Sequence, residues 1–149
     1  MPTLVTPKKL KFRAWDEDRK RMGYSEHKII DYDFSFNGEN NELICDRCEP
    51  DCDFVNAQHY TYHRLDNIMQ YVRFNDKNNK EIYEGDIVAL NSLPGFVVEY
   101  DEENARFIFN GEYKDPEYGK CGFNLYSQKE IEILGNIYEN PELLNTTPQ

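Results

Sequence analysis

The segment Met69–Leu90 constrains the fold more than any other stretch, because it contains extended segments joined by two well-defined turns. Asp76–Lys80 supplies one Asp and two Asn side chains, which form local hydrogen bonds in tight turns and tolerate left-handed backbone angles. Glu84–Asp86 forms the second turn, whose glycine permits a positive φ and whose aspartate can accept from turn N–H groups. Ile87–Leu90 is then a short apolar run typical of a buried strand. Together they predict a corner of a small β-barrel rather than an active site.

Alternation of apolar and polar residues predicts further strands on both sides of this segment. Leu10–Trp15 alternates apolar with basic residues, which predicts a strand with one buried face and with Trp15 as a buried anchor between subdomains. Tyr32–Phe36 alternates aromatic with small or acidic residues before an Asn-Gly turn, which predicts a half-buried strand with its aromatic residues on the buried face and an acidic outer face. Gly95–Tyr100 and Arg106–Phe109 read as two more strands. Aromatic residues make up 14% of the chain, which also favours strands over helices.

These patterns predict a mostly β protein (β-rich α+β) in two parts. Residues 1–65 are predicted to form an N-terminal β subdomain that carries a Cys/His-containing insertion. Residues 66–149 are predicted to form an SH3-like small barrel packed against it. Asn140–Leu144 places a cap residue, a proline and an acid at the start of a turn, which predicts one short C-terminal helical turn.

The net charge of −11 is unevenly distributed. Residues 1–21 hold seven Lys/Arg against three Asp/Glu, so the rest of the chain carries −15. An acidic body repels phosphate backbones, so we expect no nucleic-acid binding over most of the surface. No apolar run approaches the length of a spanning helix and the N-terminus has no apolar signal stretch, so we expect no membrane association and a cytoplasmic location.

One cluster has the residue types of a metal site. Cys45, Cys48 and Cys52 lie close in sequence, and His59 and His63 follow with i, i+4 spacing. Zinc takes four nitrogen or sulfur ligands, and either the three cysteines with one histidine or two cysteines with both histidines would supply them. In the second arrangement, Cys45, Cys48, His59 and His63, ten residues separate the cysteine pair from the histidine pair, which is slightly short for a zinc finger. The other interpretation is a solvated loop with ordinary thiols, and we therefore predict no obligatory cofactor.

Patterns for catalysis are missing from the sequence. It has no phosphate-binding glycine-rich motif and no Gly-x-Ser-x-Gly. Glu84 and Asp86 read as turn residues. A pocket that gathered Glu84, Asp86 or His63 with perturbed pKa values would argue for an enzyme; without that, the prediction is a non-enzymatic protein.

Three blocks resemble the YopX family, which is carried by phages and prophages. They are Lys11–Asp16, Met69–Val88 and Ile131–Leu144, and they lie in the expected order along nearly the whole chain. Ile44–His63, with its cysteines and histidines, departs from that pattern. The resemblance implies a fold and a phage or prophage context, hence the cytoplasm of a bacterial host, and it implies no catalytic residues.

The functional prediction is an accessory protein that binds a host or phage protein or assembles with itself as a homo-oligomer. The alternative is nucleic-acid contact through the basic N-terminal hairpin, whose cations are Lys8, Lys9, Lys11, Arg13, Arg19, Lys20 and Arg21. These two functions differ in salt dependence, because phosphate contacts weaken steeply as salt rises.

Overall fold

A computed structural model describes residues 9–26, 31–50, 60–111 and 120–145. These residues form twelve β-strands: β1 (Phe12–Asp16), β2 (Arg21–Tyr24), β3 (Tyr32–Phe36), β4 (Leu43–Pro50), β5 (Tyr60–Leu65), β6 (Ile68–Asn75), β7 (Glu81–Tyr83), β8 (Asp86–Leu90), β9 (Leu93–Asp101), β10 (Arg106–Gly111), β11 (Lys120–Gly122) and β12 (Ile131–Asn136). Short 3-10 helices cover Phe123–Leu125, Gln128–Glu130 and Pro141–Asn145. These strands and helices are short, as expected from the many turn residues in the sequence.

The first sheet has the order β2-β1-β6-β7. β1 lies between β2 and β6, pairing Ala14 with Gly23 on one side and with Ile68 on the other. Both neighbours are antiparallel to β1, so the strand has no open edge along these pairs. Four consecutive residues of β1 are buried, so both faces of the strand are covered by other parts of the chain.

The second sheet, β3-β4-β5, packs beside the start of the first. Its central strand pairs Cys45 with Phe34 on one side and with Leu65 on the other. Cys45 and Leu65 are buried together with Ala14 of β1. This small apolar cluster joins the two sheets.

The third sheet is a curled half-barrel with the order β11-β10-β9-β8-β12. All its pairings are antiparallel, and the register of β12 on β8 shifts between Ile133 and Gly135. The largest core cluster lies inside it and consists of Ile82, Val88, Leu90, Phe96, Val98, Phe109, Cys121 and Ile131. Burial of these apolar side chains is the main favourable contribution to the stability of this half.

The predicted mostly β class is confirmed. The predicted C-terminal turn is present as the 3-10 helix Pro141–Asn145. The division at residue 65 stays a prediction; the first sheet joins strands from both sides of it, because β1 pairs with β6. Within the described ranges, no helix has the length and apolar character needed to cross a bilayer.

Two expectations about strand faces need correction. Arg13, expected on a solvated basic face, is buried because it pairs with Asp86 and packs on the Tyr83 ring. Phe36, expected on a buried face, is 62% exposed, because β3 ends there at the rim of its sheet. Trp15 does behave as an anchor: its ring stacks on Tyr138, beyond the end of β12, with centroids 5.9 Å apart.

Candidate functional site

The Glu84-Gly85 turn lies where strands from different parts of the chain converge. Gly85 has a φ of +77°, and its N–H donates to the carbonyl of Val98 over 2.8 Å. Its own carbonyl accepts from Ile137 N–H over 2.9 Å. A Cβ at this position would come within 3.1 Å of the Met69 sulfur. The positive φ predicted for this glycine is therefore present, and the turn is fixed between β6, β9 and the segment after β12.

Glu84 is held in one orientation by the neighbouring strand. Its backbone N–H donates to the Gln70 carbonyl over 3.0 Å, and its Oε2 accepts from Gln70 N–H over 2.8 Å. Burial raises the pKa of the Glu84 carboxyl above its ordinary value, and the bond from Gln70 N–H only partly offsets that rise. The carboxylate is thus positioned and half-desolvated.

Two clefts meet at this carboxylate. One, of ≈ 680 Å³, runs toward β9 and β10 and is bordered by Met69, Val97, Tyr100 and Phe107. The other, of ≈ 450 Å³, runs toward the second sheet and is bordered by Leu10, Phe12, Phe36, Asn41 and Leu43. Ile68, Gln70 and Glu84 line both. We call the two clefts together the Glu84 groove.

The second cleft has an exposed apolar lining. Phe36 and Leu10 are 62% and 54% exposed, whereas Phe12, Leu43 and Ile68 are half-buried. These side chains come from β1, β3, β4, β6 and the residues before β1, so only the packing of two sheets brings them together. Sequence reasoning missed this surface. The only sequence signal was the aromatic residue that ends the Tyr32–Phe36 alternation.

The carboxylate of Asp86 lies in a different environment from that of Glu84. Its Oδ1 accepts from Arg13 Nη2 over 2.7 Å and its Oδ2 accepts from Tyr83 N–H over 2.8 Å. Burial raises the pKa of Asp86, and the Arg13 charge works against that rise. The Arg13 guanidinium also stacks on the Tyr83 ring, 4.8 Å from its centroid. Asp86 and Arg13 line a cavity of ≈ 420 Å³ that is separate from the Glu84 groove.

A second buried ion pair joins the first two sheets. Arg47 Nη1 donates to Asp16 Oδ1 over 2.8 Å, and Tyr32 OH donates to Asp16 Oδ2 over 2.9 Å. Burial acts to raise the pKa of Asp16, but the hydrogen bonds from Arg19 N–H and Tyr32 OH, together with the Arg47 charge, hold it below its ordinary value. The Arg47–Asp16 pair connects two sheets and lies away from both clefts of the groove.

The basic hairpin is neutralised from within the chain. Each of its six described cations pairs with at least one carboxylate: Lys9 with Glu26, Lys11 with Glu26 and Glu81, Arg13 with Asp86, Arg19 with Asp31 and Glu49, Lys20 with Glu17, and Arg21 with Asp31. Hydrogen bonds to Glu26 and then Glu81 raise the pKa of Lys11 to about 12. The hairpin therefore presents ion pairs rather than an unbalanced positive patch, while Lys8 lies outside the described residues.

The residues of the predicted zinc site are described only in part. Cys45 is fully buried in the apolar cluster between the first two sheets. Cys48 lies in the same extended strand, paired with Tyr62, and His63 is half-exposed with Nε2 3.6 Å from Glu49. Cys52 and His59 lie outside the described residues. In the part of the chain that is described, no three His, Cys, Asp or Glu side chains are placed so that they could hold a metal ion, and the zinc site stays a prediction.

The comparisons with known proteins agree with this architecture. The profile of the YopX protein family matches residues 11–145. The chain belongs to the YopX family. The resemblance of its three sequence blocks is thereby confirmed.

Two solved structures share the fold. Protein YopX from Bacillus subtilis superposes with a TM-score of 0.56 at 16% identity, covering 92% of this chain and 97% of that one. Protein EF1440 from Enterococcus faecalis superposes with a TM-score of 0.53 at 26% identity, covering 91% and 97%. A search of curated proteins found no match. At these identities the similarity establishes a shared architecture over nearly the full chain.

Proposed function

We propose that this YopX-family protein is a non-enzymatic accessory protein of phages and prophages that acts by binding another protein. The observation that carries the proposal is the exposed apolar lining of the Glu84 groove. Phe36 and Leu10 expose more than half of their surfaces there, beside Phe12, Leu43 and Ile68. Apolar surface gathered in a concavity gains free energy when a partner covers it, so such patches mark interaction sites.

The arrangement of ionisable groups supports binding over catalysis. Glu84 borders the groove, Asp86 lies with Arg13 in a separate cavity, and His63 lies on β5 beside Glu49. An acid–base pair needs both groups within reach of one reacting atom. The separate positions of these three side chains therefore favour a binding role.

The internal pairing of the hairpin cations supports a protein partner over the alternative, nucleic acid. Phosphate contacts require cationic side chains that are available to replace the counterions condensed on the nucleic acid. Here Lys11, Arg13 and Arg21 are already bonded to carboxylates. A host or phage protein in the bacterial cytoplasm is the partner that fits the family context. Self-assembly is the other protein-binding form of the proposal, and a net charge of −11 opposes it at long range.

Affinity capture with matched variants tests the proposal. Tagged wild-type protein, Phe36→Ser and Leu125→Ser are each incubated with lysate of a bacterium that carries the corresponding prophage, at low and at high salt and after nuclease treatment. Leu125 is the control, since it is 65% exposed but lies outside the groove. We expect wild type and Leu125→Ser to retain the same proteins at both salt concentrations and Phe36→Ser to lose them.

Two results would contradict the proposal. One is equal retention by all three proteins, which would remove the groove from the interface. The other is loss of all retained material after nuclease treatment, which would favour the nucleic-acid alternative. Circular dichroism of each variant shows whether the fold is intact.

A further inference from the structure

Among the described residues, no lysine or arginine is paired with the Glu84 carboxylate, in contrast to the buried carboxylates of Asp16 and Asp86. Arg13 contacts Glu84 through the backbone carbonyl, at 3.1 Å. Asp16 is paired with Arg47 and Asp86 with Arg13, in both cases at 2.7–2.8 Å. The Glu84 Oε2 accepts from the Gln70 N–H over 2.8 Å; burial raises the pKa of the carboxyl, and that bond lowers it. A half-desolvated carboxylate without a counter-charge lowers stability, and a cation that reached it would remove the penalty.

The described lining around Glu84 also has acidic residues without basic ones. The cleft toward β9 also has Glu99 and Glu102 in its lining, and among the described residues neither cleft of the groove is lined by a lysine or arginine. Elsewhere on the molecule, carboxylates such as Glu26, Glu81 and Asp31 have basic partners within the chain. The groove therefore combines a negative potential with apolar walls.

The groove has apolar side chains at both ends and a carboxylate between them. Phe36 and Leu43 border one end, Tyr100 and Phe107 border the other, and Glu84 lies at the junction. The Tyr100 ring is 46% exposed and packs edge-on against Phe107, with centroids 5.2 Å apart. The amide side chains of Gln70 and Asn41 add hydrogen-bonding groups to the lining.

We propose that the Glu84 groove binds a protein segment in which a lysine or arginine is flanked on both sides by apolar side chains. The cation pairs with the Glu84 carboxylate, and the flanking side chains enter the two clefts. This inference rests on the proposed function and names the partner's chemistry. Arginine is the better fit of the two, because its planar guanidinium bonds a carboxylate through two N–H groups and packs on aromatic rings.

Charge complementarity selects this occupant over a second copy of the chain. The described cations of the N-terminal hairpin are engaged in pairs within the molecule, and two copies would each bring a net charge of −11. A basic segment is attracted at long range and gains a charge-assisted bond on contact. A neutral apolar segment gains the apolar contacts of the clefts without the charge-assisted bond to Glu84, and an acidic segment is also repelled by the carboxylates of the lining.

Selection from a random peptide library tests the predicted chemistry without assuming a sequence. The library is selected on immobilised wild-type protein and counter-selected on Phe36→Ser, so that only groove binders survive. We expect the recovered peptides to have a lysine or arginine with aromatic or aliphatic residues on both sides. Recovery of neutral or acidic peptides, or of no enriched peptide, would overturn the inference.

The recovered peptide is then measured by fluorescence anisotropy against two matched pairs of variants. Glu84→Gln keeps the shape of the side chain and removes its charge, and Glu142→Gln removes an exposed charge outside the groove. We expect Glu84→Gln to weaken binding about tenfold or more, as for loss of a charge-assisted hydrogen bond, with little change for Glu142→Gln. Phe36→Ser should weaken binding while Leu125→Ser does not.

The outcomes separate the two proposals. If Phe36→Ser abolishes capture of a protein from lysate but Glu84→Gln binds like wild type, the groove is a docking site and the inference about its basic partner is wrong. If Glu84→Gln and Glu142→Gln weaken the peptide equally, general charge attraction explains the effect and Glu84 is no anchor. If Phe36→Ser changes neither capture nor peptide binding, both proposals fail.

Discussion

Arg13 Nη2 donates to Asp86 Oδ1 over 2.7 Å, and this bond joins the central strand of the first sheet to the first strand of the half-barrel after the Gly85 turn. Both side chains are almost fully buried. Arg13 Nη2 also donates to the Glu84 carbonyl over 3.1 Å. One arginine thus fixes the turn that carries Glu84 and links the two parts of the chain that form the groove.

Removing one member of this pair is expected to be strongly destabilising. Asp86→Ala leaves the Arg13 charge buried without a partner, which costs about 3–5 kcal/mol in comparable buried pairs. Urea unfolding followed by tryptophan fluorescence measures the loss through Trp15, the single tryptophan. As a control, Lys20→Ala breaks an exposed pair with Glu17 and should change stability little. Equal effects of the two variants would show that the buried pair does not hold the sheets together.

Glu84→Gln is expected to stabilise the protein in a pH-dependent way. The pKa of Glu84 is raised in the folded protein above its ordinary value of 4.5, so the folded state binds the proton more tightly than the unfolded state. The contribution of this group is therefore present in full below pH 4.5 and is lost as pH rises through the folded pKa. The variant should match wild type at acidic pH and exceed it near neutrality.

Urea unfolding across that pH range measures the difference. Glu142→Gln serves as the matched control, since it removes the charge of an exposed glutamate. A stability difference between Glu84→Gln and wild type that does not change with pH would contradict the prediction. Retention of a charge that costs stability is expected at a binding site.

Gly85→Ala is expected to lower the free energy of unfolding by about 1–2 kcal/mol, the cost of a left-handed angle for a residue with a Cβ. The φ of +77° requires that angle, and the new methyl would also crowd the Met69 sulfur at 3.1 Å. Gly38→Ala is the matched control, because a Cβ there meets nothing within 4 Å. The melting temperature should fall for the first variant and not for the second. A melting temperature for Gly85→Ala equal to that of wild type would show that alanine adopts this backbone angle without loss of stability.

Ile131→Ala should cost about 2–5 kcal/mol, because a fully buried isoleucine leaves a cavity when it is truncated. Ile133→Ala should cost less, since Ile133 is only half-buried beside the register shift of β12. Chemical unfolding of both variants checks the order. The reverse order would mean that the faces of β12 are exchanged.

The zinc prediction is settled by elemental analysis of protein purified without chelator. Because Cys45 is fully buried in the apolar cluster with Ala14 and Leu65, we expect well under one equivalent of zinc. We also expect the thiols outside the core to react with a thiol reagent. One equivalent of zinc, released on acidification, would instead establish the site, because bound thiolates and imidazoles compete with protons.

The sequence by itself determined the local structure. Asp76 accepts from the N–H groups of Asn78 and Lys80, as its turn sequence predicts, and Gly85 takes the positive φ that its turn requires. Such signals are readable because the interacting atoms lie within a few residues of one another. The alternation of apolar residues likewise predicted strands such as β3 and β10.

Only the tertiary structure decided which strand faces are covered. Period-two alternation shows which residues share a face, but not whether another layer packs on that face. Arg13 is buried because it pairs with Asp86 and packs on Tyr83, and Phe36 is exposed at the end of β3. Glu84 acquired its groove from strands that are distant in sequence. Burial and charge pairing depend on contacts between such distant segments, and a short stretch of sequence does not show which distant segment it will contact.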